Sequence, residues 1–392
     1  MADHFDFQTY PQYFSAEHDE FRRSVRSFVS REITPYADAW DEAGSFPREL
    51  YPKAAQAGLF GIGYPEEYGG TPADLFFALV AYEEIARCGA GGVQASLLSY
   101  AIGLPPIVAH GSEAMKRRVV PAVLAGEKIS ALAITEPGGG SDVAAVRTTA
   151  VPDGADYVLN GEKTFITSGV RADYITVAVR TDPASKGAGG ISLLLVEGNP
   201  PGLTRTNLRK MGWWASDTAL LSFSNCRVPR ANLIGEEHRG FKAIMNNFNG
   251  ERLMMAAMAC VYAELCLNEA LDWARSRKTF GQPLSERQVI RHKLVDMAMR
   301  IDASRTLTYD IAHQMANRIG SPERLVARIC MAKNFTTQTM QFCADQAVQI
   351  LGGMGFMRGT ICERVYREAK VFMIGGGAEE IMKELAARQH GI

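Results

Sequence analysis

The sequence predicts an α+β multidomain chain: an N-terminal helical domain over 1–125, a middle antiparallel β domain over 126–238, and a C-terminal four-helix bundle over 239–392. Three observations carry this. Apolar residues recur at helical spacing through the first stretch, β-branched and aromatic residues alternate with polar ones between Ile129 and Val228, and helical spacing returns from Gly240. A chain of 392 residues also exceeds what one core usually supports, so two or three cores are expected.

In the first stretch, Phe21, Val25, Phe28 and Val29 form one stripe behind Ser15, an N-cap with acids in the following turn. Leu75, Leu79, Tyr82 and Ile85 form a second behind Asp74, and a third helix is expected to start at Ser112 and stop before Gly126. In the middle stretch, Tyr157 to Phe165 reads as a hairpin with Asn160-Gly161 at its turn. Asp182 to Gly190, with Pro183 and three glycines, reads as a loop between strands, and the β pattern ends near Val228-Pro229-Arg230. Trp213-Trp214 falls in a loop, where paired aromatics mark either a pocket wall or ordinary packing. In the last stretch, Leu253, Ala257 and Val261, then Leu267 and Leu271, make helical stripes. Ser285-Glu286-Arg287-Gln288 has capping-box form, and Ser321-Pro322 sets an N-cap before a first-turn proline. Long helices with short connections indicate a bundle.

Composition narrows the function classes. A formal net charge of −1, with no Lys/Arg block interleaved with aromatics, argues against a nucleic-acid partner. The seven cysteines include no Cys-x-x-Cys pair and no histidine at metal-ligand spacing, so they read as small buried hydrophobes in a reducing compartment, and no metal is expected. Met1 to Asp6 lacks an apolar signal core and the Arg/Ser-rich character of a transit peptide. Polar residues interrupt the apolar runs short of a membrane span, and a cytoplasmic protein is expected.

The most informative segment is Ala133-Ile134-Thr135-Glu136-Pro137-Gly138-Gly139-Gly140-Ser141-Asp142. Consecutive glycines let main chain approach a ligand closely and offer N–H groups to phosphate or carbonyl oxygens, although such a run is also a common tight turn. It is followed by Lys163-Thr164-Phe165-Ile166-Thr167-Ser168-Gly169, Arg277-Lys278-Thr279-Phe280-Gly281, Gln349-Ile350-Leu351-Gly352-Gly353-Met354-Gly355-Phe356 and Glu363-Arg364-Val365-Tyr366-Arg367-Glu368. In identity, order and spacing these five segments resemble the acyl-CoA dehydrogenase family of flavoproteins, from Phe21 to Ile392. The resemblance implies FAD as cofactor, an acyl-CoA substrate, an electron-transfer flavoprotein as acceptor and a homotetramer.

Dehydrogenation of an acyl thioester needs a carboxylate at the α-carbon and donors to the carbonyl oxygen, while the β-hydrogen leaves as hydride. In much of the family the base is a Glu near the C-terminus. Here Ile374-Gly375-Gly376-Gly377-Ala378-Glu379-Glu380-Ile381 matches that segment with Gly376 in the Glu position. The long-chain and isovaleryl branches place their base in a Glu-Arg pair on a C-terminal helix, and Asn249-Gly250-Glu251-Arg252-Leu253 matches it. The resemblance therefore assigns Glu251 as base, against the plainer reading of a first-turn acid favoured by a helix dipole. Gly376 keeps an N–H that can serve the thioester oxygen.

Position by position, the resemblance gives Leu132, Ile134, Thr135 and Ser141 to the isoalloxazine and ribityl chain, Phe165 to the ring face in place of the usual Trp, and Thr167 to the flavin edge. Arg277, Phe280, Gln288, Gln349 and Gly353 fall at the adenine and pyrophosphate half, several from a neighbouring subunit, and Ala378 and Glu380 at further flavin positions. Arg277 can equally be a solvated helix-end charge, Phe280 core packing and Gln288 the partner of Ser285. Ser141, Asn249, Arg252, Gly376 and Gly377 fall near the thioester and pantetheine, with a structural ion pair as the alternative for Arg252. Glu136 reads as a loop anchor rather than a base. Gly375 and Gly376 remove bulk beside the α-carbon, which points to a long or branched acyl chain. The competing functions are an acyl-CoA oxidase or flavin monooxygenase on the same fold, and a non-catalytic acyl-CoA binding homologue.

Overall fold

The computed structural model describes residues 10–185 and 187–392. The N-terminal hexapeptide read for a leader lies outside them. Helices α1 (Ala16–Glu32), α2 (Ala37–Ala43), α3 (Leu50–Gln56), α4 (Leu75–Ala86), α5 (Gly91–Leu97), α6 (Tyr100–Gly103), α7 (Pro105–His110) and α8 (Glu113–Leu124) come first. Their starts follow the expected caps. Ser15 accepts from the His18 N–H while the His18 ring accepts from the Ser15 N–H, Asp74 accepts from the Phe76 and Phe77 amides, and Ser112 accepts from Met115.

Strands β1 (Ser130–Ala133), β2 (Thr149–Asp153), β3 (Asp156–Thr167), β4 (Tyr174–Arg180), β5 (Ile191–Glu197), β6 (Leu203–Asn207), β7 (Thr218–Pro229) and β8 (Leu233–Ile234) form one sheet in the order β6-β7-β3-β2-β4-β5-β8. Most pairs are antiparallel, as expected, but β1 runs parallel to β4 from Ser130↔Tyr174 to Ala133↔Val177. The hairpin expected at Asn160-Gly161 is corrected: β3 runs unbroken through it, and the turn lies at Gly154-Ala155, between the paired Asp153 and Asp156. Gly161 instead sits at a shift of register against β7 with φ +139°, and a Cβ there would meet the Thr148 Cα at 2.7 Å. A bulge in a strand paired on both sides uses the same residue that a turn would.

The chain then returns to helices: α9 (Gly240–Ser276), α10 (Gln288–Ala316), α11 (Pro322–Leu351), α12 (Gly353–Phe356), α13 (Ile361–Ile374) and α14 (Glu379–His390). By length and composition α9 is apolar enough to cross a bilayer, which the expectation of interrupted apolar runs did not foresee; 89% of its most apolar stretch is buried inside the protein, as befits a core helix. The capping box at Ser285 does not form. Leu284–Glu286 make a 3₁₀ turn, and α10 starts only at Gln288, behind an Arg287 that gives no side-chain cap. Ser321 does cap α11, accepting from the Arg324 amide. Glu269 of α9 holds the start of α13, its carboxylate accepting from the amides of Ile361 (3.0 Å) and Cys362 (2.7 Å).

The chain divides into two compact units. One comprises 10–39, 74–91 and 249–392, where Phe76 and Leu79 of α4 pack with Leu253, Met254 and Ala257 of α9, Ile311 and Ala312 of α10, and Ile329 and Ala332 of α11. Inside it Glu84 meets Arg22 and Arg26, and Glu264 meets Arg305 at 2.6 Å. The other comprises 40–73 and 92–248, which contains the whole sheet. The seven cysteines are all free and buried.

Candidate active site

Glu251 lies well inside α9, which begins at Gly240, so the first-turn dipole reading does not apply. Around it stand Tyr82 of α4, Arg252 and Lys333 of α11. Burial pushes its carboxyl up to about 7, and the two cations only partly oppose this. The carboxylate accepts no hydrogen bond from the described residues. A carboxyl poised near neutrality, without a fixed partner, has the acidity that a general base needs.

The Gly375–Gly377 turn links α13 to α14 in the same unit. Gly376 has φ +66° and Gly377 φ +118°, backbone that a Cβ strains. Both of their carbonyls are taken: Arg252 Nε donates to Gly376 O at 2.9 Å and Lys333 Nζ donates to Gly377 O at 2.7 Å. The Gly376 N–H donates to no acceptor among the described residues, so it remains available to an incoming oxygen. Arg252 also reaches Asn249 Oδ1 at 3.2 Å. Its guanidinium thus fastens the glycine turn to α9, a contact that the substrate and ion-pair readings of Arg252 both left out. Ala378 is the N-cap residue of α14, and Glu380 is exposed in its first turn.

The sheet unit carries the other predicted cluster. Leu132 lies in β1, Ile134 and Thr135 follow it, and Ser141 is exposed beyond the three glycines. The Thr164 amide donates to Thr135 O at 2.8 Å, which ties this segment to β3. Lys163, fully buried, donates to Ile134 O at 3.0 Å and to Glu136 Oε1 at 2.7 Å. Glu136 in turn accepts from the amides of Arg147 (2.7 Å) and Thr148 (2.9 Å), the anchoring role read for it. Burial opposes its charge, but Lys163 and these donors hold the carboxyl below its ordinary value. Phe165 sits at a register shift of β3 with φ +61° and 70% of its surface exposed. A β-bulge has turned an aromatic out of the sheet, next to Thr167. Nothing lies within 4 Å of a Cβ built on Gly138 or Gly139. An exposed ring face beside an unobstructed glycine loop suits a flat, phosphate-bearing cofactor such as FAD.

Replacing Lys163 with Met leaves the half-buried Glu136 without its cation. The variant is expected to lose about 3–5 kcal/mol of stability, the cost of breaking a buried pair, read by chemical denaturation. Retention of parent stability would remove the anchoring role.

The remaining predicted residues lie on the helical unit. Phe280 is 98% exposed with φ +49°, which rules out the core-packing alternative. Arg277 follows the last residue of α9 and is exposed, and so are Gln288, Gln349 and Gly353. Trp213 and Trp214 are half-buried, with the Trp214 indole donating to Lys210 O at 3.0 Å. Sequence alone gives Lys163 no role within its motif and does not mark Lys333 as functional. A charge interrupting the apolar run Cys330-Met331-Ala332 was the available signal for the latter.

The chain is similar to known proteins along nearly its whole length. The N-terminal, middle and C-terminal domain models of acyl-CoA dehydrogenase match residues 15–127, 131–226 and 238–391. The mitochondrial long-chain specific acyl-CoA dehydrogenase of Rattus norvegicus is 40% identical over 380 residues, covering 96% of this chain and 87% of its own. The crystal structure of an acyl-CoA dehydrogenase from Geobacillus kaustophilus superposes with a TM-score of 0.93 at 37% identity, covering 97% of this chain and all of that one. An acyl-CoA dehydrogenase from Bacillus anthracis, solved in complex with FAD, superposes with a TM-score of 0.90 at 29% identity over 97% of this chain and 68% of that one. With all three domain models matched in order along a chain of the same fold, this protein belongs to the acyl-CoA dehydrogenase family.

Proposed function

We propose that the protein is an FAD-dependent dehydrogenase that converts an acyl-CoA to the trans-2-enoyl-CoA and passes the electrons to an electron-transferring flavoprotein. The observation that carries this is Glu251, a carboxyl raised to about 7 that accepts no hydrogen bond from the described residues, next in sequence to the Arg252 that bonds the Gly376 carbonyl. Leu132, Ile134, Thr135, Ser141, Phe165 and Thr167 would hold the flavin ring and ribityl chain. Arg277, Phe280, Gln288, Gln349 and Gly353, with Ala378 and Glu380 as lesser contacts, would hold the rest.

Bound FAD supplies the two-electron acceptor for the C3 hydrogen. Glu251 takes the C2 proton, and the electrons of that C–H bond become the C2–C3 double bond as the C3 hydrogen departs with its own pair. The Gly376 N–H donates to the thioester oxygen while negative charge gathers there. Arg252, bonded to the Gly376 carbonyl, keeps that donor in place. Gly375 and Gly376 carry no side chain toward C2, and the rat relative is named for long chains, so the substrate proposed is a long or branched acyl-CoA. Exposed Phe280, Val289, Met299 and Phe356 support assembly into a homotetramer, proposed here together with a cytoplasmic location.

Purified protein should be yellow, should bleach when an acyl-CoA is added under argon, and should recolour slowly in air. Fast reoxidation by oxygen would favour the oxidase reading, and a colourless protein the binding homologue. Across a panel of straight and branched acyl-CoAs, turnover confined to short straight chains would overturn the substrate assignment.

A further inference from the structure

Lys333 is fully buried on α11, and its ammonium donates to two backbone carbonyls, Met373 O at 2.9 Å and Gly377 O at 2.7 Å. No carboxylate pairs with it within 4 Å among the described residues; Glu251 and Glu379 act on it only from farther away. A buried cation without an ion-pair partner is expensive, and an apolar side chain of similar length would usually stabilise such a core better. The last turn of α13 attracts positive charge through its free carbonyls, but an exposed lysine would serve that purpose at less desolvation cost.

The two carbonyls bracket the Gly375–Gly377 turn. Met373 precedes it and Gly377 ends it, while Arg252 holds Gly376 between them. The residues beside Lys333 on α11 continue the clamp: Asn334 Nδ2 donates to Glu379 O at 2.9 Å, and Gln338 Nε2 donates to the Glu379 carboxylate at 2.6 Å. One face of α11 thus grips the chain from 373 to 379. The turn itself consists of three glycines, two at positive φ, and has little conformational preference of its own.

We propose that Lys333 is a positioning residue for catalysis: by tying Met373 O and Gly377 O together it holds the glycine turn so that the Gly376 N–H meets the thioester oxygen during proton removal. This rests on the assignment of Glu251 as base and Gly376 as donor. With no side chain at 375, 376 or 377, the turn has nothing of its own to stiffen it. Here the clamp must supply that rigidity.

The test uses the FAD-loaded enzyme, anaerobic mixing with an acyl-CoA substrate, and the rate of flavin bleaching at saturation alongside the concentration for half-saturation. K333M should slow bleaching by roughly 10- to 100-fold, the scale of a misplaced catalytic group, while half-saturation moves less than about threefold. K333Q, which keeps an N–H₂ donor, should fall between K333M and the parent. Parent-rate bleaching in K333M, or a loss confined to affinity, overturns the proposal. If K333M does not fold, K333Q is judged by the same two readouts, and failure of both to fold assigns Lys333 to stability instead and overturns it as well. Glu251→Gln is run beside them. Full rate in that variant overturns the base assignment, whereas a silent E251Q with a full-rate K333M overturns the clamp alone.

Discussion

Glu251→Gln is expected to leave a folded, FAD-loaded protein that binds acyl-CoA and turns over about 10²–10⁴-fold more slowly, the usual contribution of a positioned base. The amide keeps the shape of the carboxyl and cannot accept the proton. In the parent, turnover should rise with pH and level off above about 7, because only the deprotonated carboxylate is the base. Stability runs the opposite way. The folded carboxyl keeps its proton up to about 7, while in the unfolded chain it releases it near the ordinary 4.5. Between those values folding takes up a proton, so the Glu251 contribution to stability is complete at low pH and is lost as pH rises through about 7. The Gln variant lacks this loss, and its melting temperature relative to the parent should therefore be higher at pH 8 than at pH 5. An E251Q enzyme with parent turnover, or a melting difference that does not change with pH, would remove Glu251 from the mechanism.

The second large effect is expected from moving the base. Glu251→Gly should abolish turnover, and adding Gly376→Glu should restore roughly 1–10% of the parent rate, since a displaced general base recovers only part of its 10²–10⁴-fold contribution. The backbone at 376 has φ +66°, which costs a non-glycine residue about 1–2 kcal/mol. The obstacle to its Cβ is the Met255 Sδ at 3.0 Å, the flexible end of a side chain that can turn aside. At 377 φ is +118°, outside the left-handed region that a side chain tolerates at modest cost, and a Cβ would lie 2.4 Å from the Cε of the fully buried Met382, so Gly377→Glu should not rescue and serves as the contrast. Equal recovery at both positions, or none at 376 in a folded double variant, would argue that the missing carboxylate and Glu251 do not share a target. The readout is single-turnover flavin bleaching, which excludes steps after chemistry.

Much of the architecture was readable because the relevant signals are local. Ser15, Asp74, Ser112 and Ser321 cap helices through amides two or three residues on, so a short window of sequence contains both partners. Ser285 misled for the same reason, since its window matched a capping box while the chain there forms a 3₁₀ turn. Asn160-Gly161 misled because a turn and a bulge demand the same permissive residue, and only the pairing of β3 with both β2 and β7 separates them. Glu136 was placed correctly as an anchor, but its partner Lys163 was not, because the pair joins two strands across a loop.

By itself the sequence determined the succession of helices, strands and helices, the glycine loop and the carboxylate at 251, since each depends on residue type and spacing along the chain. Only tertiary structure decided what surrounds that carboxylate: Tyr82 and Lys333 arrive from α4 and α11, and burial raises the carboxyl while Arg252 and Lys333 hold it partly back. It also decided that Arg252 and Lys333 would grip the carbonyls of a glycine turn, because charge and hydrogen bonding act through space, between atoms that the order of residues does not bring together.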